Sequence, residues 1–422
     1  MSNDWDYKLQ FWTIQCSRGA PPEFVLDSNK KLFVYIDNIP EPSPAPFLVK
    51  YAPRIAKLDI NFGKLYIKYD SWLEFYKTMA ECQPKWQVLQ DLSVNCFYED
   101  IYRFFDNIFG GCENLLKKLN LAGIDLYKRK LNLTRLKVLT LSKCVVNLDV
   151  LVHLAPNLET LQLYNIQVNK LDLSGLEEHP TAFAALKSLT VVNCNIDVER
   201  IIIKISNSLQ HLKLEGYKSI KIDKLQDCKF PVLKSVQLIN GSGNNIIRFL
   251  ASFSKTIETL ELVAISSQIN FSLLAFNVMS CLKSLKLNLL KRTKNIDYFL
   301  RACPNLESLQ IEFKDDYLFW ETFDSDTKTN FARSLAILNP LIQSLGLPYI
   351  RLKRLEIKLN IWIEDADHHN SFGLKFPPVK TLDEMKVRIL GELPEQVKKQ
   401  FCALFSGDVK VIIYQFCLSK TK

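Results

Sequence analysis

The chain of 422 residues contains no long apolar run: no stretch approaches the ~18–20 apolar residues that a membrane-crossing helix needs. Its amino terminus, MSNDWDYKLQFWTIQCSRGA, also lacks the uninterrupted apolar segment of a secretory signal. The expectation is therefore a soluble intracellular protein, cytoplasmic or nuclear. Histidine is scarce, and none of His153, His179, His211, His368 and His369 falls in an HExxH or a Cys/His zinc spacing. The stretch NGSGNN (Asn240 to Asn245) has no third glycine and no phosphate-loop lysine, so it reads as a turn. No G-x-S-x-G elbow exists. EDADHHN (Glu364 to Asn370) gathers carboxylates and imidazoles but reads as an exposed polar loop rather than a cation site. The expectation from these absences is a protein that is not an enzyme, with no catalytic residue, metal or cofactor.

Disorder-prone and low-complexity tracts are missing too. An apolar fraction of 48% with 23% charged residues is that of an ordinary folded protein. The eleven cysteines are odd in number, and their spacing follows a longer period instead of a pairing framework. Cys144 and Cys194 each fall eight residues after a recurring leucine. Reduced, buried thiols are the reading, because free cysteine behaves as a small hydrophobe.

What is present is repetition. The phrase L-x-x-L-x-[LI] occurs at Leu116/Leu119/Leu121, Leu136/Leu139/Leu141, Leu158/Leu161/Leu163, Leu186/Leu189/Val191 and Leu209/Leu212/Leu214. It continues at Leu233/Val236/Leu238, Ile257/Leu260/Leu262, Leu282/Leu285/Leu287, Leu306/Leu309/Ile311 and Leu352/Leu355/Ile357, with looser copies at Ile55/Leu58/Ile60 and Leu89/Leu92/Val94. From Leu136 to Leu306 the first positions lie 22, 28, 23, 24, 24, 25 and 24 residues apart. A period of ~20–29 residues with this spacing is the signature of leucine-rich repeats, each one strand plus a return segment that cannot bury its apolar face alone. The fold class expected is an α/β leucine-rich-repeat solenoid, or horseshoe, with a parallel inner sheet and outer helices.

Four regions follow. Residues 1–50 read as an atypical amino-terminal cap, in which Leu32, Val34 and Ile36 alternate as in a strand and PEPSPAP makes a stiff connection. Residues 51–313 hold the leucine-rich repeats, with helices in return segments such as NIIRFLASFSK and IDYFLRACPN, the latter stopped at Pro304. Residues 314–351 are an irregular insertion or a degenerate repeat. Residues 352–422 hold the last repeats and the carboxy-terminal cap, including a further phrase at Leu382/Met385/Val387 and a last strand in VKVIIYQF.

The junctions CPNLESLQI and APNLETLQL resemble those of the ribonuclease-inhibitor-like superfamily, and more particularly the substrate-binding repeats of F-box/leucine-rich-repeat proteins. That resemblance implies a subunit that presents a substrate protein to a cullin–RING ubiquitin ligase, with an F-box holding a Skp-type adaptor. An F-box opens with a Leu-Pro-x-Glu-type turn and ends around a Cys/Arg/Trp cluster. The nearest fragment here is APPEFVLDSNKKLFVYI, where Pro21-Pro22-Glu23 is followed by strand-like alternation and no such cluster. The alternative is a free-standing scaffold or inhibitor with no ligase link.

Strand side chains alternate between the core and the opposite, concave face. The central concave row is then Gln162, Thr190, Lys213, Gln237, Glu261, Lys286, Gln310 and Glu356, with Tyr164, Val192, Ile239 and Val263 beside it. Polar residues of mixed sign suit one specific protein partner, since mismatched charges reject others. The net charge of +9 raises nucleic acid as a partner, but six cations and six anions balance on the inward rows between Ile55 and Ile357. No specific nucleic-acid partner and no membrane partner is expected. The excess is assigned to Lys137, Lys187, Lys234, Lys283 and Lys353, each just after a repeat's first leucine and read as solvated edge lysines. YKRKLN, with Lys128, Arg129 and Lys130, is read as a solvated loop in preference to a nuclear-import signal. Partner-binding residues are expected to be Tyr164, Lys213, Gln237, Glu261, Lys286, Gln310 and Glu356, with Tyr317 and Trp320 of the insertion as a hot spot or as irregular core.

Overall fold

The computed structural model describes residues 11–16, 31–37, 45–61, 75, 77–81, 85–95, 112, 114–124, 126, 133–145, 157–166, 176, 183–216, 222–225, 227–240, 245–263, 278–289, 296–313, 352–359, 383–390 and 410–416. The chain divides into two compact units, Met1–Ile205 and Ser206–Lys422.

The first unit is a parallel sheet of β1 (Phe11–Cys16), β2 (Lys31–Asp37), β3 (Ile55–Asn61), β4 (Asp91–Asn95), β5 (Lys118–Ala122), β6 (Val138–Ser142), β7 (Thr160–Tyr164) and β8 (Ser188–Val192). Each strand pairs with the next in sequence. The alternation of Leu32, Val34 and Ile36 is indeed a strand, and all three side chains are buried. The register shifts once, between β2 and β3 at Leu32/Phe33, where Ala56 is the extra residue. Past that bulge Val34 meets Leu58 and Ile36 meets Ile60, so the apolar faces stay in phase. Helix α1 (Ala45–Tyr51) precedes β3, and α2 (Val198–Ile205) follows β8.

The second unit repeats the plan with β9 (His211–Glu215), β10 (Ser235–Ile239), β11 (Thr259–Val263), β12 (Ser284–Leu289), β13 (Ser308–Phe313), β14 (Arg354–Leu359), β15 (Glu384–Leu390) and β16 (Lys410–Phe416), again parallel and in sequence order. The 46-residue step from Leu306 to Leu352 does not interrupt it, for β13 and β14 are direct neighbours. Two expected helices form: α3 (Asn245–Ser252) lies in NIIRFLASFSK, and α4 (Ile296–Arg301) ends just before Cys303 and Pro304. Ile246, Phe249 and Leu250 put α3's apolar stripe into the core. There Phe249 and Phe253 meet edge to face at 4.9 Å, with Phe230 at 5.7 and 6.0 Å from them.

The repeats whose side chains are described use the phrase in the same way. Leu119 and Leu121, or Leu260 and Leu262, point into the core from alternate strand positions, while the first leucine, Leu116 or Ile257, is fully buried just before the strand. The carbonyl one residue after that leucine accepts two backbone N–H groups from the next repeat. Lys137 and Val138 donate to Lys117 at 2.8 and 3.1 Å, and Glu258 and Thr259 donate to Lys234 at 2.8 and 3.0 Å.

A second backbone device closes the six strands β5 to β10. Gly123, Lys143, Asn165, Asn193, Gly216 and Asn240 follow the last residues of β5 to β10, and all have φ between 51° and 75°. Glycine and asparagine tolerate that left-handed turn. It aims the N–H of Gly123 at the carbonyl of Ser142 (2.8 Å) and that of Asn240 at Val263 (2.9 Å).

The recurring cysteines and the Pro-Asn-Leu junctions also join neighbouring repeats. Cys194 accepts the Ile166 N–H at 3.3 Å and donates to the Val192 carbonyl at 3.3 Å; Cys144 donates to Leu121 at 3.3 Å. Burial pushes the Cys194 and Cys303 thiols above their ordinary pKa, so both stay protonated and unreactive. Asn157 and Asn305 donate from Nδ2 to the carbonyls of Thr134 (2.9 Å) and Ser280 (2.7 Å) in the preceding repeat. The motif that carried the family resemblance thus pins one repeat to the next.

Candidate functional site

With the leucines facing the core, the intervening positions of each strand make an open face of three rows. In the first unit, hydrogen bonds run across the strands. Asn95 donates to Asn61 (3.0 Å), Asn120 to Ser93 (3.3 Å) and Thr140 to Gln162 (3.0 Å). Asp91 lies between Lys57 (4.0 Å) and Lys118 (3.9 Å). Partial burial pushes the Asp91 carboxyl above its ordinary pKa, outweighing the pull of Lys118 and Lys57. Burial alone would lower Lys57, but its hydrogen bond to Tyr35 and the charge of Asp91 carry it upward. Its ammonium also sits 5.2 Å from the centre of the Tyr35 ring. Tyr164 ends β7 at this face, half-buried, in register with Ser142 and Val192.

In the second unit the structure brings Lys213, Gln237, Glu261, Lys286, Gln310 and Glu356 into one row of successive register partners across β9 to β14. Lys386 of β15 extends it. Lys286 and Glu261 pair directly within the row. Lys213 pairs with Glu215 on its own strand (3.3 Å), Lys358 with Glu356 (4.0 Å) and Lys386 with Glu384 (3.3 Å). Over β14 and β15 the described charged side chains of the rows are Arg354, Lys358 and Lys386 with Glu356 and Glu384. Tyr317 and Trp320 lie outside the described residues, as do the 364–370 stretch and the basic loop at 128–130.

The lysines after the first leucines are exposed as expected, and they are also paired. Glu159 bridges Lys137 (2.7 Å) and Lys187 (3.3 Å) in the first unit. In the second, Glu258 lies between Lys234 (3.9 Å) and Lys283 (3.8 Å), and Glu307 meets Lys353 at 3.1 Å. Hydrogen bonds from Lys137 and Lys187 hold the Glu159 carboxyl below the usual glutamate range. The column alternates in sign, a pattern missed when only its lysines are counted. The acids were legible at the same position of their own repeats.

A further feature had no sequence signal. Asn288 stands in the third row of the open face, yet it is only 5% exposed, and neither its Nδ2 nor its Oδ1 has a hydrogen-bond partner. Glu312, its register partner on β13, has no ion-pair partner among the described residues.

Among the described residues no group of three or more His, Cys, Asp or Glu side chains is placed to hold a metal ion. No described helix is long and apolar enough to cross a membrane. No protein-family model and no curated protein matches the chain. Among solved structures, an internalin from Listeria monocytogenes is similar over 72% of this chain and 82% of its own, at 17% identity and a TM-score of 0.43. The yeast Rad7–Elc1 complex contains a chain similar over 68% and 70%, at 15% identity and 0.40. A chain of the TLR13–ssRNA13 complex is similar over 92% of this chain and 55% of its own, at 13% identity and 0.45. The class follows from the chain's own geometry. One parallel strand per phrase, with the first leucine buried ahead of it and a left-handed turn behind, makes a leucine-rich-repeat protein of α/β solenoid class.

Proposed function

We propose that this protein recognises another protein through the open face of its sheet, without catalysing a reaction. The observation that carries the reading is the row from Lys213 to Glu356, six polar residues of both signs held at adjacent register positions on a rigid ladder. Such a surface gains specificity from matched charges and penalises mismatched ones. Tyr164 in the first unit, and Tyr317 and Trp320, supply aromatic side chains of the type that dominates interface energetics.

The finer reading is a substrate-recognition subunit of a cullin–RING ubiquitin ligase. Its support is the likeness of CPNLESLQI and APNLETLQL to F-box/leucine-rich-repeat junctions. A second reading, a scaffold or inhibitor with no ligase link, is favoured by β2. Lys31–Asp37 of the fragment nearest to an F-box is a sheet strand paired with β1 and β3. Co-purification with a Skp-type adaptor separates the two, and its failure selects the scaffold. For recognition itself, partners cross-linked to the purified chain are compared between wild type and the charge reversals Lys286→Glu and Glu356→Lys, with Tyr317→Ala and Trp320→Ala as a second set. A partner retained equally by every folded variant rules out the open face.

A further inference from the structure

The residue after each repeat's first leucine has a fixed place, because its N–H is bonded to the carbonyl at the same point of the repeat before. In the second unit these bonds run without a break. Lys234 donates to Gln210 (2.8 Å), Glu258 to Lys234 (2.8 Å), Lys283 to Glu258 (2.9 Å), Glu307 to Lys283 (2.9 Å), Lys353 to Glu307 (2.8 Å) and Asp383 to Lys353 (2.9 Å). The six charges from Lys234 to Asp383 therefore stand one strand spacing apart, about 4.8 Å, and alternate in sign throughout. All six are accessible: the side chains of Lys234, Glu258, Lys283, Glu307 and Lys353 are between 42% and 60% exposed, and Asp383 is exposed as well. The ion pairs of Glu258, at 3.8 and 3.9 Å, are longer than hydrogen bonds, so these groups keep donors and acceptors for another molecule.

We propose that this column is a two-fold interface on which a second copy of the chain docks. The inference is independent of the open-face reading, since the column lies at the strand starts. An alternating row of even number is its own complement when turned end for end. Lys234 then faces the partner's Asp383, Glu258 the partner's Lys353 and Lys283 the partner's Glu307, and the symmetry repeats each pair, so every position matches in sign. A self-complementary patch of this kind is what a closed two-fold dimer requires. Placed in parallel, the two columns face like charges, and sliding by one strand restores only about five pairs in an assembly that does not close. Spacing selects the occupant too. Residues on one side of an extended peptide recur every ~6.8 Å, and a helix presents neighbours ~5–6 Å apart that wind around its axis. Neither keeps step over the ~24 Å of the column, whereas a second strand ladder does. The first unit's corresponding column, Lys117, Lys137, Glu159 and Lys187, has two cations in succession and leaves a like-charge pair in any register against the six. The axis falls between Lys283 and Glu307, over a cleft that they line with Ser280, Cys281 and Asn305. Cys281 is exposed there, and the symmetry sets its two copies about one strand spacing, ~4.8 Å, apart along the column.

The test uses the full chain. Six exposed ion pairs make a weak dimer, so sedimentation equilibrium is run up to ~1 mM protein. A monomer–dimer equilibrium is expected, weakening by ~10-fold or more between ~50 mM and ~1 M salt as the pairs are screened. Lys283→Glu and Glu307→Lys each set two like-charge pairs beside the axis, because the symmetry doubles every change. Each is expected to raise the dimer Kd by ~10-fold or more, and the two together to restore it. The double variant separates docking from an internal role. It places like charges side by side within each chain, so a column that serves only its own fold is harmed more by both changes than by either. A short bis-maleimide is expected to join wild-type copies through Cys281, with that product lost in Cys281→Ser and reduced in Lys283→Glu. A chain that stays monomeric at ~1 mM, growth beyond the dimer, a dimer indifferent to the single reversals, or a double variant no better than either single each overturns the proposal.

Discussion

Leu260 and Glu261 are adjacent in β11 and lie on opposite faces of the sheet, so truncating each in turn measures the register on which the binding face depends. Leu260 is fully buried. Leu260→Ala removes three carbons, about 2.4 kcal/mol at ~0.8 per methylene. The unfilled cavity raises this to about 2.7–5 kcal/mol. Glu261 reaches Lys286 on the next strand, with its side chain 16% exposed and that of Lys286 37% exposed. Because Lys286 keeps more than a third of its side chain in solvent, the pair contributes about 0.2–1 kcal/mol, which is the expected cost of Glu261→Ala. Global unfolding of a repeat array is a poor readout because its cooperativity breaks down. Native-state hydrogen exchange at the amides of β10, β11 and β12 reports local opening instead. Leu260→Ala should raise the opening constant there ~100-fold or more, at 1.4 kcal/mol per tenfold, and Glu261→Ala by less than ~6-fold. Equal effects, or the reverse order, would refute the register, since a slip of one residue exchanges the two faces.

Other consequences are as direct. Gly216, with φ of 64°, should not accept a β-branched residue: Gly216→Val is expected to lower local stability by roughly 1–2 kcal/mol or more, read by native-state hydrogen exchange at the amides of β9 and β10. Asn305→Ala should cost about 0.5–1.5 kcal/mol by deleting the bond to the Ser280 carbonyl, and unchanged exchange at the start of β13 would contradict it. Glu159 should titrate below the ordinary glutamate range by carbon-detected NMR and return to it in a Lys137→Gln, Lys187→Gln double variant. Because its folded pKa is depressed, its contribution is present above the ordinary glutamate value and lost as pH falls through the lower one. Asp91 has the opposite sign, its pKa being raised. The stability it favours is present below the ordinary aspartate value and lost as pH rises through the elevated one, so Asp91→Asn should flatten the first unit's stability profile across that window.

The strands were legible because the phrase fixes them: one leucine before each strand and two within it need no tertiary information to predict. The same logic put Lys213 to Glu356 in one row. The bond made by Cys194 was foreshadowed by its offset from Leu186. Less legible was β1, because FWTIQC does not follow the leucine spacing; it is recognised by its pairing with β2. The left-handed turns had a signal in Gly123, Asn165, Asn193, Gly216 and Asn240, one residue beyond each strand, but Lys143 at the same place hides the pattern. Asn288 could not have been singled out. Its type is ordinary on an open face, and only the packing around it reveals that it is buried and unpaired.

The backbone stitching that joins neighbouring strands separates distance along the chain from distance on the surface. Gln310 and Glu356 are 46 residues apart in sequence, whereas Glu261 and Lys286 are 25 apart, yet both pairs are register neighbours. Length added to a return segment therefore leaves the spacing of the rows unchanged, as the longer step between β13 and β14 already demonstrates. Each strand behaves as a replaceable tile carrying three side chains. A change of binding preference needs only substitutions within a tile, and a change in the outer segments can proceed without disturbing it.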